Sequence, residues 1–563
     1  MAALQPLIEC VPNFSEGRDL AVIKQITDAM EAVEGVKLLD VDPGKATNRT
    51  VVTIVGHPDQ VIEAAYRGIA RAAELIDMNK HQGEHPRMGA TDVCPLIPIA
   101  NITMEEAAEY AHQLAKRVGE ELKISCFMYE AAATSPRRRN LATIRAGEYE
   151  AMAKKIQEPD WKPDYGPTTL HPRAGVTAIG ARDFLIAYNV NLNTTSVRRA
   201  NSVAFDIREQ GRVKREGDPI TGPVVTGPDG EPERIPGTCK SVKGIGWYIE
   251  EYGLAQVSMN ITNIRDTPLH MAFEACVESA HSRGMRVTGS ELVGLVPRQV
   301  MLDAGRYFLH KQQRSTGLPD EEIIRIAIKS MGLDELGPFD IRKKVIEYQL
   351  EDPNDRRLVR MDLCQFSAET ASESPAPGGG SISAYVGALG AALGGMVANL
   401  SAHKRGWDDR WEEFSGWAEQ AQALQDRLLF LVDEDTRAFN GIMEAFGLPK
   451  ATPEEKAARS QAIQAATRYA IEIPFQVMEA ASATLPIIRE MASEGNPNSA
   501  SDAGVGALCA RTAVQGAWLN VQTNASGFKD KEWLAGILSR GEAMADQADQ
   551  LEREILEIAR GKM

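Results

Sequence analysis

Apolar and polar positions in the first part of the chain alternate between two spacings. Short apolar runs bounded by polar turns predict strands at Leu7–Val11, Val36–Asp42, Thr50–Val55, Asp92–Ile99 and Ile124–Tyr129. Apolar residues that recur at about one helical turn predict helices between these strands at Leu20–Val33, Val61–Ile76 and Met104–Leu122. This order of strands and helices indicates an α+β unit.

A similar order recurs further along the chain. Strands are predicted at Phe184–Leu192, Gly246–Glu250, Ala255–Ile261 and within Met285–Leu295, and helices at Ser196–Glu209 and Pro268–Arg283. The segment VNLNT at 190–194 is a faint echo of VPNFS at 11–15. We therefore predict two related α+β units, each a sheet with helices on one face.

The composition changes at two places. Residues 212–240 are rich in Gly, Pro and charge, which predicts an exposed loop, and the polar stretch 351–377 marks the main domain boundary. Beyond Gly380, Ala is abundant and apolar residues recur at helical spacing. Helices are predicted at Ser381–Ala402, Asp408–Phe446, Pro453–Leu485, Ser501–Asn524 and Lys531–Arg560, which together indicate an all-α bundle.

Bulk composition limits the class of protein. The chain has 563 residues, 43% of them hydrophobic, and a formal net charge of −16. Surfaces that bind nucleic acid are basic, so this acidic balance argues against nucleic acid and against an anionic membrane as partners. The 7 cysteines stand singly, which predicts reduced thiols in the cytoplasm and no zinc site. Ile382–Leu400 is Gly- and Ala-rich and predicts a buried helix, and no signal peptide is predicted.

The densest polar cluster of the first half is HQGEHPRMGATD at 81–92. Pro86 disfavours a helix at His85, so this histidine is expected on a turn or extended segment that can present it to a substrate. Three explanations stay open from spacing alone. His85 can act as a general acid or base, because histidine titrates near neutral pH. It can bind a metal together with His81, although Gly83 and Pro86 interrupt the helix that would place both on one face. The cluster can also be a structural polar turn.

Two further polar turns follow predicted strands. One contains Asp42 and the TNRT sequence at 47–50, and the other is VPNFSEG at 11–17. Asn, Ser and Gly build turns and helix caps routinely, so a structural role is favoured for each from spacing alone. The segment Gly166–Gly175 precedes the second unit and could enclose a ligand between the units.

Chemistry in the predicted bundle centres on two motifs. PAPGGGS at 375–381 precedes a helix, and the free N–H groups of a helix start attract anions or polar heterocycles. Three acids at 433–435 lie within an apolar helical pattern, where a solvated face is the ordinary explanation. Asp435 shares a helix face with Phe439, however, and a partly buried carboxyl has a raised pKa and can donate a proton at neutral pH.

These motifs resemble those of the formiminotransferase-cyclodeaminase family over nearly the whole chain. The resemblance is carried by ECVPNFSEGRD, LLDVDPGKATNRT, HQGEHPRMGATDVCPL, GPTTLHPRAG, FLIAYNVNL, GIGWYIEE, GSELVGLVP, PAPGGGS, LVDEDTRAFN and GNPNSASD. The last third also resembles stand-alone methenyltetrahydrofolate cyclohydrolase. The resemblance implies a multidomain fold, with two α+β ferredoxin-like transferase subdomains followed by an all-α helical bundle. We expect the subdomains at 1–183 and 184–348, a linker at 349–356, and a cyclodeaminase/cyclohydrolase-like domain at 357–563.

The resemblance also implies roles for individual residues. His85 would be the catalytic histidine of the transferase, supported by Asp42. The catalytic carboxylate of the cyclodeaminase would be Asp433 or Asp435, and both stay open. Substrate and folate contacts would come from Gly166, Pro167, Thr168, Thr169, Leu170, His171, Pro172, Arg173, Ala174, Gly175, Pro236, Gly237, Thr238, Gly378, Gly379, Gly380 and Ser381.

The implied chemistry is a two-step folate reaction of histidine degradation. N5 of tetrahydrofolate attacks the formimino carbon of N-formimino-L-glutamate and glutamate leaves, and then N10 closes onto the same carbon and ammonia leaves. Both steps move protons, which suits a histidine and a carboxyl with a raised pKa. We expect no metal and no tightly bound cofactor, with tetrahydrofolate, with or without a polyglutamate tail, as the co-substrate. We also expect a cytoplasmic homo-oligomer.

Two alternatives remain for the bundle. It could act as a methenyltetrahydrofolate cyclohydrolase, or it could bind folate without catalysis. The segment 212–235 is longer than the usual loop of the family and is given no role.

Overall fold

Five of the seven strands of the first α+β unit lie close to where they are predicted, whereas the strands at Asn13–Phe14 and Val176–Ala181 are not predicted. The strands are β1 (Leu7–Cys10), β2 (Asn13–Phe14), β3 (Val36–Gly44), β4 (Arg49–Gly56), β5 (Thr91–Ala100), β6 (Ser125–Glu130) and β7 (Val176–Ala181). The helices are α1 (Leu20–Glu31), α2 (Pro58–Leu75), α3 (Met104–Arg117), α4 (Leu141–Arg145) and α5 (Glu148–Lys155). The computed structural model describes residues 6–45, 47–83, 86–217, 222–351 and 357–563.

Pairing places the first strand in the middle of this sheet. The order across the sheet is β3, β4, then β1 with β2, then β5, β7 and β6. The pairs among β1 to β5 are antiparallel, whereas β7 runs parallel to β5 and to β6. Ile26 and Met30 of α1, Ile69 of α2 and Leu114 of α3 belong to the same buried cluster as Ile54 of β4.

The second α+β unit repeats the connectivity of the first. Its elements are β8 (Ile186–Leu192), α6 (Val197–Ile207), β9 (Arg212–Val213), β10 (Arg234–Ile235), β11 (Val242–Ile249), β12 (Leu254–Ile261), α7 (Leu269–His281) and β13 (Val287–Val293). The main sheet has the order β11, β12, β8, β13 and is antiparallel throughout. In both units the first strand lies between the third and the fourth of a βαββαβ pattern. The prediction of two ferredoxin-like α+β units is therefore confirmed, and the echoed segments 11–15 and 190–194 both belong to or follow the first strand of their unit.

The predicted loop at 212–240 has more order than its composition suggests. Strands β9 and β10 pair, and isolated bridges join Arg215 to Val224 and Thr226 to Pro232. The segment is therefore a β-ribbon at its base, while residues 218–221 lie outside the described part of the chain.

The described residues beyond β13 are helical, and the five helices from Gly379 onward lie where the all-α bundle is predicted. The helices are α8 (Arg298–Lys311), α9 (Asp320–Met331), α10 (Ile341–Lys344), α11 (Ile346–Gln349), α12 (Leu363–Thr370), α13 (Gly379–Ala402), α14 (Trp411–Gly447), α15 (Pro453–Glu494), α16 (Ala500–Asn524) and α17 (Lys531–Lys562). Helix α13 packs against α14, α15 and α16. Its Gly390 faces the backbone of Gly506 and Ala510 so closely that a side chain there would meet backbone atoms at 3.0 Å.

Helix α15 continues beyond its predicted end at Leu485. Pro474 and Pro486 both lie inside it, and Ile487, Ile488 and Met491 beyond the second proline are buried. An interior proline costs about 3 kcal/mol in an isolated helix, so the burial of these apolar side chains is what keeps the helix continuous.

Helix α13 is, among the described residues, the one helix long and apolar enough to cross a membrane. By its contacts it is a central helix of the bundle, and 61% of its most apolar stretch is buried there. The length and apolar composition of α13 therefore reflect its place in the core of the bundle. This agrees with the buried helix predicted at Ile382–Leu400.

The chain divides into two compact units. One comprises Met1–Val300 with Met331–Leu350, and the other comprises Met301–Ser330 with Glu351–Met563. Residues 301–330 thus group with the helical bundle, although the sequence assigns them to the subdomain at 184–348. The predicted domain limits stay a prediction.

Candidate active sites

Three polar motifs of the first α+β unit meet around Asn48. This residue has a left-handed backbone, with φ at 49°. Its Oδ1 accepts the N–H of Gly17 at 3.0 Å, and its Nδ2 donates to the carbonyl of Gln82 at 2.9 Å. A side chain at Gly83 would collide with the Thr47 carbonyl. The turn at 47–50 therefore holds the turn at 15–17 and the start of the motif at 81–92 together.

His81 is satisfied within this arrangement. It is 9% exposed, and its Nε2 lies 2.8 Å from the carbonyl oxygen of Asn48. Its Nδ1 accepts from Nε of Arg87 at 3.4 Å. With both ring nitrogens partnered, His81 has a structural role and is not available as a ligand. Within the described residues no group of three or more potential ligands could hold a metal ion.

His85, the predicted catalytic histidine, lies outside the described residues, as does Glu84. The residues that follow them are well anchored. Asp92, 1% exposed, accepts the N–H of Met88 at 2.8 Å, and the N–H of Ala90 donates to the Ala174 carbonyl at 2.8 Å. The assignment of His85 therefore stays a prediction from the sequence.

A cleft of about 740 Å³ opens over the polar face of the first sheet and is also lined by residues of the second α+β unit, among them Lys243 and Val293. Strand alternation explains its lining, because residues two apart in a strand point to the same face. Asp40 and Asp42 project from β3, and Asp42 lies directly opposite Val51 of β4. The charged residues that line the cleft are Glu9, Asp40, Asp42, Arg49, Glu130, Arg145, Arg182 and Lys243. Of these, only Asp42 is among the residues predicted to act.

Two buried acids near the cleft were missed by sequence reasoning. Burial raises the pKa of Glu9 to about 7, and Arg182 opposes this rise only in part. Asp92 pairs with Nη2 of Arg145 at 2.5 Å. The outward position of Glu9 next to the inward Ile8 follows from strand alternation and could have been anticipated, whereas the pairing of Asp92 with Arg145 spans 53 positions and has no local signal.

The predicted folate segment 166–175 packs beside the motif that contains His85. Gly175 has φ at 70° and pairs with Gly89 in an isolated bridge. Within the segment, Nδ1 of His171 accepts the N–H of Ala174 at 2.9 Å, and burial lowers the pKa of this imidazole. The segment therefore forms a folded turn next to residues 88–90.

The second predicted folate contact, at 236–238, lies in the second α+β unit. Gly237 packs against the carbonyl of Arg208, and the N–H of Thr238 donates to the carbonyl of Asp206 at 2.8 Å. This holds Pro236, Gly237 and Thr238 at the end of α6. In the described part of the chain, neither these residues nor 166–175 line the 740 Å³ cleft. The structure thus does not bring the two segments together in that cleft.

In the helical bundle, the PGGGS motif and the acidic cluster meet. Helix α13 begins at Gly379 after Gly378, and Oγ of Ser381 donates to Oδ2 of Asp435 at 3.0 Å. A side chain at Gly380 would collide with the Asp435 carboxylate, so glycine is needed for this approach. Burial raises the pKa of Asp435, and hydrogen bonds from Ser381 oppose the rise without cancelling it. The result is a largely buried carboxyl at the start of a helix, suited to holding a proton.

Asp433 has a different environment. Its Oδ1 accepts the N–H of Leu358 at 2.7 Å, so it caps the backbone that leads into the bundle. Burial also raises the pKa of Asp433, and the bond from Leu358 and the charge of Arg357 oppose this rise. Residues two apart in a helix do not face each other, so the two carboxyls do not perturb one another. Gly380 and Ser381 lie against the Asp435 carboxyl, whereas Phe439, on the same helix face, is 39% exposed.

Family models match most of the chain. Residues 7–182 match "Formiminotransferase domain, N-terminal subdomain", 187–351 match "Formiminotransferase domain", and 362–543 match "Formiminotransferase-cyclodeaminase". Formimidoyltransferase-cyclodeaminase of Mus musculus is 42% identical over 94% of this chain and 94% of its own length. Glutamate formimidoyltransferase of Streptococcus pyogenes is 43% identical over 54% of this chain and 93% of its own length. Methenyltetrahydrofolate cyclohydrolase of Methylorubrum extorquens is 36% identical over 34% of this chain and 93% of its own length.

Proposed function

The chain belongs to the formimidoyltransferase-cyclodeaminase family, and from this we propose how its residues share the two reactions. The protein is a bifunctional folate enzyme. It transfers the formimino group from N-formimino-L-glutamate to tetrahydrofolate, and it cyclises 5-formimino-tetrahydrofolate to 5,10-methenyl-tetrahydrofolate with release of ammonia.

We assign formimino transfer to the first unit, with His85 as the acid and base. N5 of tetrahydrofolate forms a bond to the formimino carbon, and the bond from that carbon to the α-nitrogen of glutamate breaks. The proton lost from N5 must reach the departing amine, and a neutral imidazole can accept it and then donate it. Asp42 at the rim of the cleft would support the cationic form of His85. The close packing of 166–175 against 88–90 supports a folate contact there.

We assign cyclisation to the bundle, with Asp435 as the proton donor. N10 forms a bond to the formimino carbon, the proton of N10 passes to the imino nitrogen, and the bond from that carbon to this nitrogen then breaks. The departing nitrogen leaves as ammonia and needs a proton, which a carboxyl with a raised pKa can hold near neutral pH. The contact of Asp435 with Gly380 and Ser381 is the single observation that carries this assignment. Gly378 and Gly379 would leave backbone N–H groups for the pterin.

The cysteines and the exposed apolar side chains of α13 bear on the cellular location and the assembly of the enzyme. We propose that it serves histidine degradation in the cytoplasm, in keeping with seven free cysteines that include Cys10 and Cys94 at 3.5 Å without a disulfide. We also propose a homo-oligomer, because Leu389, Met396 and Leu400 are 42%, 38% and 47% exposed along one helix. Light scattering on the purified chain tests the oligomer.

Two half-reactions test the assignment of activities. With tetrahydrofolate and N-formimino-L-glutamate, we expect release of glutamate followed by the absorbance of methenyl-tetrahydrofolate. With pre-formed 5-formimino-tetrahydrofolate alone, we expect ammonia and the same absorbance.

The similarity of the bundle to a methenyltetrahydrofolate cyclohydrolase suggests cyclohydrolase activity as the competing function. A bundle that interconverts methenyl- and formyl-tetrahydrofolate much faster than it releases ammonia would replace the cyclodeaminase assignment. A bundle that binds folate and converts neither substrate would show it to be a binding domain.

A further inference from the structure

Two arginines in the cleft have more hydrogen-bond donors than the protein satisfies. Arg49 donates one guanidinium N–H to Oδ1 of Asn13, and Arg145 donates one to Asp92 at 2.5 Å. The Nε atoms of both arginines are buried without a hydrogen-bond partner among the described residues. A buried donor without an acceptor is costly, so such a pair in a cleft is typical of a site whose acceptor is a ligand.

The two guanidinium groups lie close enough to affect each other. Burial lowers the pKa of Arg49, and the positive charge of Arg145 lowers it further, whereas Asp92 and Asp42 raise it. Both oxygens of Asp92 are engaged, by Arg145 and by the N–H of Met88. An anion that contacted both arginines would relieve their repulsion and accept their remaining donors.

Strand register places Arg49 next to the proposed reaction site. Arg49 and Val51 are two apart in β4 and share a face. Val51 lies opposite Asp42 on one side and opposite Asn13 on the other. Arg49 therefore lies on the same face of the sheet as Asp42, Val51 and Asn13. Its hydrogen bond to Asn13 fixes the position of the guanidinium group there.

We propose that Arg49 and Arg145 bind the carboxylates of the formimino donor and make the transferase specific for a dicarboxylate, with Arg49 taking the α-carboxylate. This rests on the proposed transfer from N-formimino-L-glutamate. The α-carboxylate is attached to the carbon that bears the reacting nitrogen, so it must lie beside the reaction site, as Arg49 does. The glutamate part of folate offers the same chemistry, and kinetics distinguish the two sources.

The test compares Arg49→Gln and Arg145→Lys with wild type and with a surface control, Arg137→Gln, whose side chain is 58% exposed. The lysine keeps a cation beside buried Asp92, so that this variant folds. Initial rates of transfer are measured against both substrates. We expect the KM for formiminoglutamate to rise roughly 10- to 100-fold in Arg49→Gln, with the KM for tetrahydrofolate within about twofold of wild type.

A second formimino donor, N-formimino-4-aminobutyrate, lacks the α-carboxylate. It tests the assignment of Arg49 to that carboxylate independently of how much of each variant is folded. The ratio of kcat/KM for the two donors is measured within one protein, so it does not depend on the fraction that is folded. Wild type and Arg137→Gln should prefer formiminoglutamate strongly, and Arg49→Gln should lose most of that preference because it no longer binds the missing group.

An unchanged preference in Arg49→Gln would overturn the proposal, as would a rise confined to the KM for tetrahydrofolate, which would assign the arginines to folate. A wild-type protein that transfers nothing from formiminoglutamate would instead overturn the proposed function itself.

Discussion

Replacing Asp435 with asparagine exchanges the ionisable carboxyl for an amide that cannot act as an acid, and it keeps the shape of the side chain. The carboxyl is held by Oγ of Ser381 at 3.0 Å and lies against Gly380, and an amide fits the same space. Loss of a positioned general acid costs about 10²- to 10⁴-fold in rate. We therefore expect Asp435→Asn to cyclise 5-formimino-tetrahydrofolate more slowly by that factor and to transfer the formimino group at the wild-type rate.

The pH dependence follows from the raised pKa of Asp435. The acid form donates the proton, so the rate of cyclisation should fall as pH rises through this pKa, and this limb should be absent in the variant. Stability of the wild-type protein should fall over the same pH range. A carboxyl whose pKa is raised on folding contributes stability below its unfolded pKa, and that contribution is lost as pH rises through the folded pKa. The variant carries no such charge, so its unfolding midpoint at neutral pH should equal or exceed that of wild type.

The assay follows methenyl-tetrahydrofolate by absorbance from pre-formed 5-formimino-tetrahydrofolate, across a range of pH, with thermal unfolding of the same samples. The matched control is Asp433→Asn, because Asp433 is a half-buried carboxyl of the same helix and its pKa is also raised, but it accepts the N–H of Leu358. We expect this control to cyclise within a few-fold of wild type and to unfold at neutral pH no earlier than wild type, because the amide oxygen still accepts the N–H of Leu358. Wild-type cyclisation by Asp435→Asn would refute the reasoning and direct attention to Ser381.

Three other changes have expected outcomes. Gly380→Ala should displace the Asp435 carboxyl and slow cyclisation at least about tenfold, with formimino transfer measured in parallel and unchanged. His85→Ala should reduce transfer by about 10²- to 10⁴-fold and leave cyclisation intact, and a folded variant with normal transfer would remove His85 from the mechanism. Burial raises the pKa of Glu9 from 4.5 to about 7, so wild-type stability falls between those values as pH rises. Glu9→Gln should therefore gain about 3 kcal/mol in urea unfolding above pH 7 and little near pH 4, and an equal gain at both would contradict this.

Local pattern predicted most of the fold because the periodicity of burial is a local property. The strands around β4 and the bundle helices other than α15 were predicted within a few residues. Strand β7 was missed because VTAIGA is rich in Ala and Gly, and it is a strand through parallel pairing with β5 and β6 on both sides. Helix α15 was ended early because Pro486 is a local stop signal that tertiary packing overrides.

In the candidate sites, too, the sequence predicts the local motifs but not the contacts between distant segments. The motifs containing Asp435, Gly380 and Ser381 were each found locally, but only the packing of α13 on α14 distinguishes Asp435 from Asp433. The role of Arg145 depends on Asp92, and no spacing rule joins them. Charged pairs between distant segments are set by tertiary structure, which one sequence does not reveal.

Division of the two reactions between the two sites is tested most directly by the fate of one nitrogen atom. N-formimino-L-glutamate labelled with ¹⁵N at the imino position is incubated with tetrahydrofolate and the full-length protein. We predict that the label appears in ammonia, one equivalent for each methenyl-tetrahydrofolate, and that the released glutamate is unlabelled. With Asp435→Asn, the label should stay on 5-formimino-tetrahydrofolate. Methenyl-tetrahydrofolate formed without labelled ammonia, or label in glutamate, would contradict the proposed pair of reactions.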